Sequence, residues 1–125
     1  MDEGLRAEIK IPVAENCLVA KISEENKVDV AVESRVNGLE GEIIEELRIP
    51  ADQQLTSELS ESDAVYKHET SGIYRTETES DTDCVCQIIE RLGQPIAEAR
   101  ARNGNLFLTM YLTDKEILRS LIAEL

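Results

Sequence analysis

Ala99-Arg100-Ala101-Arg102-Asn103-Gly104-Asn105-Leu106-Phe107-Leu108-Thr109-Met110-Tyr111-Leu112 is the stretch that decides the fold. Asn-Gly between two alternating segments is the strongest short-range hairpin signal, because both residues accept the positive φ that a tight two-residue turn demands. Residues 95–102 and 105–112 therefore read as paired antiparallel strands, with Leu106, Leu108, Met110 and Leu112 on one face. Thr113-Asp114-Lys115-Glu116 follows at once and reads as a capping box. It opens a helix whose Ile117, Leu118, Leu121, Ile122 and Leu125 form one apolar stripe.

Moving outward, residues 84–93 carry Val85, Ile88, Ile89 and Leu92 at helical spacing, with Thr82 or Asp83 as cap and Gly93 as stop. Residues 63–68 and 73–77 read as short strands around Thr70-Ser71-Gly72, and residues 76–83 as an acidic loop. Residues 51–62 are polar apart from Leu55 and Leu59 and suit a short amphipathic helix or a loop. Residues 42–49 form a strand that Pro50 ends, and residues 27–36 alternate through Val28, Val30 and Val32 up to the Asn37-Gly38 turn. At the N-terminal end, residues 5–13 place Leu5, Ala7, Ile9, Ile11 and Val13 on one face of a half-buried strand, and a short helix starts near Asn16. The order β-α-β-β-(α)-β-β-α-β-β-α predicts an α+β fold: a mostly antiparallel sheet with two to four helices packed on one face.

The 125 residues fit a single domain, and 42% hydrophobic residues exclude a disordered chain. With aromatics at 3%, the core must be mostly aliphatic. A formal charge of −13 argues against this segment gripping nucleic acid itself, and equally against docking on an anionic membrane. No apolar run is long enough to span a bilayer, and Met1-Asp2-Glu3-Gly4 lacks the basic start of a signal peptide, so a cytoplasmic location is expected. The acidic excess is spread along the chain, and its bases are eight Arg against five Lys. Such a surface suits molar salt, where the Debye length falls to about 3 Å and self-repulsion is quenched. The chain is therefore expected to melt at a higher temperature in molar KCl than in dilute buffer, and equal melting in both would remove the halophile reading.

Chemistry concentrates in the three cysteines, Cys17, Cys84 and Cys86, an odd number that is not a disulfide framework. If a helix starts at Cys84, both Cys84 and Cys86 lie in its first turn, where the dipole favours thiolate, while Asp81 and Asp83 oppose it. Cys17 holds the equivalent place at the start of the first helix. In a helix-on-sheet fold two helix starts can lie together, so Cys17, Cys84 and Cys86 are expected to cluster, with His68 as a fourth ligand for a thiolate-bound metal such as zinc or iron. Three outcomes stay open: a redox-responsive pair, a metal site, or three small buried hydrophobes, with His68 an ordinary strand residue. Nothing points to an enzyme, because no G-x-S-x-G, H-E-x-x-H, phosphate-binding or dinucleotide-binding motif occurs. The acidic run Glu77-Thr78-Glu79-Ser80-Asp81-Thr82-Asp83 lacks calcium-loop spacing. The adjacent Glu45 and Glu46 split between the faces of a strand and form no acid/base dyad.

Taken in order, these segments resemble the N-terminal sensory domain of haloarchaeal bacterioopsin-activator-like helix-turn-helix regulators. Asn16-Cys17-Leu18-Val19-Ala20, Val65-Tyr66, Ile73-Tyr74-Arg75, Cys84-Val85-Cys86-Gln87-Ile88-Ile89-Glu90, Gly93-Gln94-Pro95-Ile96 and Arg102-Asn103-Gly104-Asn105-Leu106-Phe107-Leu108-Thr109 carry the likeness. It covers most of residues 14–125 and is weakest over 38–63, and Leu18 stands where the family usually has Pro. The resemblance implies a transcription regulator whose DNA-binding helix-turn-helix follows this segment, so that DNA is contacted only through that further domain. It also implies that residues 1–125 are the sensory input, and a homodimer is one arrangement open to that input. The alternative is a ligand-independent dimerisation module with structural buried cysteines.

Overall fold

The structure, a computed structural model, describes residues 4–12, 17–50, 64–68, 70–78 and 84–124. Along these the chain runs β1 (Leu5–Ile11), α1 (Leu18–Asn26), β2 (Val30–Asn37), β3 (Ile43–Pro50), β4 (Ala64–His68), β5 (Ser71–Thr78), α2 (Val85–Arg91), β6 (Glu98–Arg102), β7 (Asn105–Leu112) and α3 (Lys115–Glu124). The strands form a seven-stranded sheet in the order β1-β7-β6-β2-β3-β5-β4, and every neighbouring pair is antiparallel. This is the α+β architecture that the pattern of elements predicts.

Alternation sets the two faces. In β1, Leu5, Ala7, Ile9 and Ile11 pack against the core while Arg6, Glu8 and Lys10 point outward. In β3, Ile43, Glu45, Leu47 and Ile49 are buried. The core lies between that face and the helices. It is aliphatic, with Ile22, Leu47, Ile49, Ile89, Leu106, Leu108 and Met110 fully buried. No helix among the described residues is long and apolar enough to cross a membrane.

The Asn103-Gly104 turn forms as its residues predict, with φ of 53° and 83° at the two positions. Its tip is tied to α1: the Gly104 N–H donates to Ser23 Oγ at 3.1 Å, and the Ser23 hydroxyl donates to the Ala20 carbonyl at 2.8 Å. A side chain at Gly104 would be strained by that φ and would meet the Glu24 carboxylate at 2.7 Å.

Several boundaries differ from the sequence pattern, each for a local reason. The helix expected near Asn16 begins at Leu18 with Cys17 as N-cap, and it runs to Asn26, where Lys27 turns left-handed with φ 53°. Strand β2 therefore starts at Val30 rather than at residue 27. The α3 cap is Asp114, not Thr113: Asp114 Oδ1 accepts the Ile117 N–H at 3.1 Å. Strand β6 begins only at Glu98, because the Gln94 side chain donates to the Pro95 and Tyr111 carbonyls and holds the preceding connection beside β7. Strand β5 spans Ser71–Thr78, so the stretch expected to be an acidic loop starts inside it. The rest of that loop, and the polar segment 51–62, lie outside the described residues.

Strands β2 and β6 meet at two register positions, Val30↔Ala101 and Ala31↔Arg100. Beyond them β2 shifts register between Val32 and Ser34. The sheet thus consists of two broad blocks, β1-β7-β6 and β2-β3-β5-β4, joined by a short ladder.

Candidate functional site: a line of three thiols

Cys17 and Cys84 occupy the N-cap positions of α1 and α2 with extended backbone. Each does the backbone part of the cap: the Cys17 carbonyl accepts from Lys21 N–H at 3.0 Å, and the Cys84 carbonyl from Gln87 and Ile88 N–H at 3.0 and 3.1 Å. Neither side chain makes a capping hydrogen bond. Ser, Thr, Asp or Asn would do so and would stabilise each helix by about 1 kcal/mol. Two helix starts thus forgo a good cap and present thiols instead.

Those thiols find each other. Cys84 interacts electrostatically with both Cys17 and Cys86, so the three gather with Cys84 as the common neighbour. All are free and buried, with exposures of 3, 9 and 4% for Cys17, Cys84 and Cys86. The expected convergence of Cys17 with the pair opening the middle helix is therefore present. The buried side of α2 is Cys86, Gln87 and Ile89, whereas Leu92, which the helical spacing puts in the core, is 50% exposed. Gly93, at φ 85°, ends the helix there, and its N–H returns to the Glu90 carbonyl at 2.9 Å.

The central thiol differs from its neighbours electrostatically. The neighbouring Cys17 and Cys86 thiols favour a Cys84 thiolate and pull its pKa well below that of an ordinary cysteine, with a further pull from Arg35. Cys17 and Cys86 move the other way, because each faces Cys84 and because each is desolvated. The line holds one favoured thiolate flanked by two thiols, and the favoured anion comes from sulfur neighbours more than from the helix dipole.

A partly buried ion network flanks the thiols. Arg35 Nη1 lies 3.3 Å from Glu45 Oε2, and its Nη2 lies 2.9 Å from Glu90 Oε1 on α2. Burial lifts the Glu45 carboxyl above its usual range; Arg35 opposes this, and Cys84 and Glu90 add to it. Thr76, paired with Glu45 in register, has a buried hydroxyl without a hydrogen-bond partner. A cleft of about 220 Å³ runs between β2 and the segment entering β6, with Arg35, Glu45, Cys86 and Glu90 on its walls. Neither Arg35 nor Glu45 stands out as a site residue in the sequence. The available signal is phase: Glu45 shares the inward positions of β3 with Ile43, Leu47 and Ile49.

A group with a raised folded pKa is stabilising below its unfolded value and loses that contribution as pH rises through the folded value. Glu45→Gln is therefore expected to raise the melting temperature at neutral pH and to flatten the fall in stability above pH 4.5, the usual carboxylate value. Thermal melts across that range check it. Unchanged melting would mean that Arg35 fully offsets the burial.

His68 does not join the thiols. It is exposed on the edge strand β4 and pairs with Ser71, one register step from Lys67↔Gly72. Gly72 is in phase with the buried Tyr74 and Thr76, so the pleat puts His68 on the opposite face of the sheet from the helices. Among the described residues no group of three or more His, Cys, Asp or Glu side chains is arranged to hold a metal ion. The expected zinc or iron thus has no ligand set there.

The sequence profile of the family described as "DmsR, N-terminal domain-like" matches residues 1–125. The chain is also 30% identical, over 129 aligned positions, to "Transcriptional regulator NarO" of Haloferax volcanii, a name that denotes a regulator rather than an enzyme. That alignment covers 100% of this chain and 58% of the relative, so the chain spans a little over half of that protein's length. No solved structure matches. With its profile matched from end to end, this chain belongs to the DmsR N-terminal domain-like family, as the resemblance to haloarchaeal regulators anticipates.

Proposed function

We propose that residues 1–125 are the sensory part of a haloarchaeal transcription regulator and that the Cys17–Cys84–Cys86 line is its redox-sensing group. DNA would be read by a helix-turn-helix outside this segment, which fits a net charge of −13 within it. The observation that carries the reading is Cys84, a thiol with a lowered pKa held against two others that come from a different helix start and from its own helix. An oxidant such as a peroxide meets the Cys84 thiolate, which takes one oxygen and becomes a sulfenic acid as the O–O bond breaks and water leaves. A neighbouring thiol then attacks that sulfur, a second water is lost, and a disulfide remains. With Cys17 as partner, the new bond fastens the start of α1 to the start of α2, which gives the two states that coupling to another domain requires.

Thiol counting on the folded protein, with and without peroxide and with and without a chelator, tests this. The expected result is three titratable thiols after reduction, one after oxidation, and no effect of the chelator. Three thiols surviving oxidation, with no metal by elemental analysis, would leave a dimerisation module with inert cysteines. Stoichiometric zinc or iron removed by the chelator would replace the redox reading with a metal one.

A further inference from the structure

The face of the sheet away from the helices carries an arginine-lined groove. One register row crosses all seven strands: Lys10, Phe107, Arg100, Ala31, Arg48, Ile73, Tyr66. Phe107 lies between two cations, with Lys10 Nζ and the Arg100 guanidinium each 6.0 Å from the ring centroid. Ala31 is the small residue of the row, flanked by Arg100 on β6 and Arg48 on β3. A short side chain between two long ones leaves a depression, and the groove there measures about 470 Å³ with Arg48, Arg100, Arg102, Phe107, Ala31 and Pro50 among its walls. That volume falls within the usual range for small-molecule sites, about 300–1,000 Å³.

Its charge runs against the rest of the molecule. The chain has 26 acidic and 13 basic residues, yet this groove is lined by three arginines and one carboxylate, Asp29. Arg102 is held by Asp29 through two hydrogen bonds of 2.9 and 2.8 Å. Arg48 pairs with Glu33 and reaches Ser71 Oγ at 3.4 Å. Arg100 feels the Asp29 charge but makes no hydrogen-bonded ion pair among the described residues, so its donors remain available beside Phe107. A fork of free donors beside an aromatic ring and a Pro–Ala floor suits a carboxylate joined to a flat apolar body.

We propose that this groove binds a small organic anion, with its carboxylate on Arg100 and its apolar body over Ala31, Pro50 and Phe107. The site is separate from the thiol line, on the other side of the sheet, and does not depend on redox sensing.

The test is an amide-resolved NMR titration of the intact protein in molar KCl, where unspecific attraction is screened and only contact bonding survives. The probes are naphthoate, the neutral analogue naphthol, and inorganic phosphate. Naphthoate is expected to saturate and to shift the amides of Ala31, Arg100 and Phe107, while naphthol and phosphate bind more weakly. Arg100→Gln, at an exposed position, should weaken naphthoate by about tenfold, the loss of one charge-assisted hydrogen-bonding group. Arg48→Gln is a second, independent variant and should also weaken it. No saturable naphthoate binding would overturn the proposal. So would equal binding of naphthol with no effect of either variant, or phosphate binding as tightly as naphthoate.

Discussion

With Cys84 replaced by serine, peroxide is expected to leave two free thiols and no intramolecular disulfide. Cys84 is the neighbour that acts most strongly on both other sulfurs, whereas Cys17 acts on Cys86 only as a charge at longer range. Cys86→Ser should still oxidise, because Cys17 and Cys84 remain side by side. In the unmodified chain a Cys17–Cys84 bond closes a long loop, and on chain-entropy grounds this stabilises the oxidised form by about 4 kcal/mol. Intact mass after alkylation and denaturant melts of the reduced and oxidised protein measure both effects. A disulfide that still forms in Cys84→Ser, or oxidised and reduced protein melting alike, would break the link between this geometry and sensing.

Ile89→Ala is the second large effect, with an expected loss of about 2–5 kcal/mol, since Ile89 is fully buried and its truncation leaves a cavity. Domains of ordinary stability hold only about 5–15 kcal/mol in total. Helix α2 has seven residues and cannot stand without tertiary packing. Undocking it would also uncover Cys84 and Cys86, so native-state alkylation should accelerate in parallel with the lower denaturant midpoint. If stability falls by less than about 1 kcal/mol, Ile89 is not what keeps α2 seated.

Where periodicity and turn chemistry were unambiguous, the fold was legible. Asn103-Gly104 gives the β6–β7 hairpin, the alternation from Leu5 to Ile11 gives β1, and the apolar stripe after Asp114 gives α3. The clustering of Cys17 with Cys84 and Cys86 was legible too, because both helix starts carry cysteine and both helices cover one sheet face. The face that His68 takes was not legible from spacing alone, because it is set by pairing with Ser71, one step from Lys67↔Gly72. Arg35 and Glu45 were hidden for a related reason. A charge at an inward strand position reads as an error of phase until its partner appears, and here Arg35 and Glu45 are direct register partners. The three arginines of the open-face groove come from β3 and β6, which neighbour each other only through β2.

Because β2 and β6 share only Val30↔Ala101 and Ala31↔Arg100, the sheet has a built-in fault line. Amide protons there should exchange with solvent through partial opening, ahead of those in the long β1–β7 and β3–β5 ladders. Helix α1 straddles this line, touching β2 on one side and β6 and β7 on the other, while Arg35 and Glu90 tie α2 to the β2 side. A sulfur–sulfur clasp between the two helix starts would therefore restrain the two plates from parting along that line.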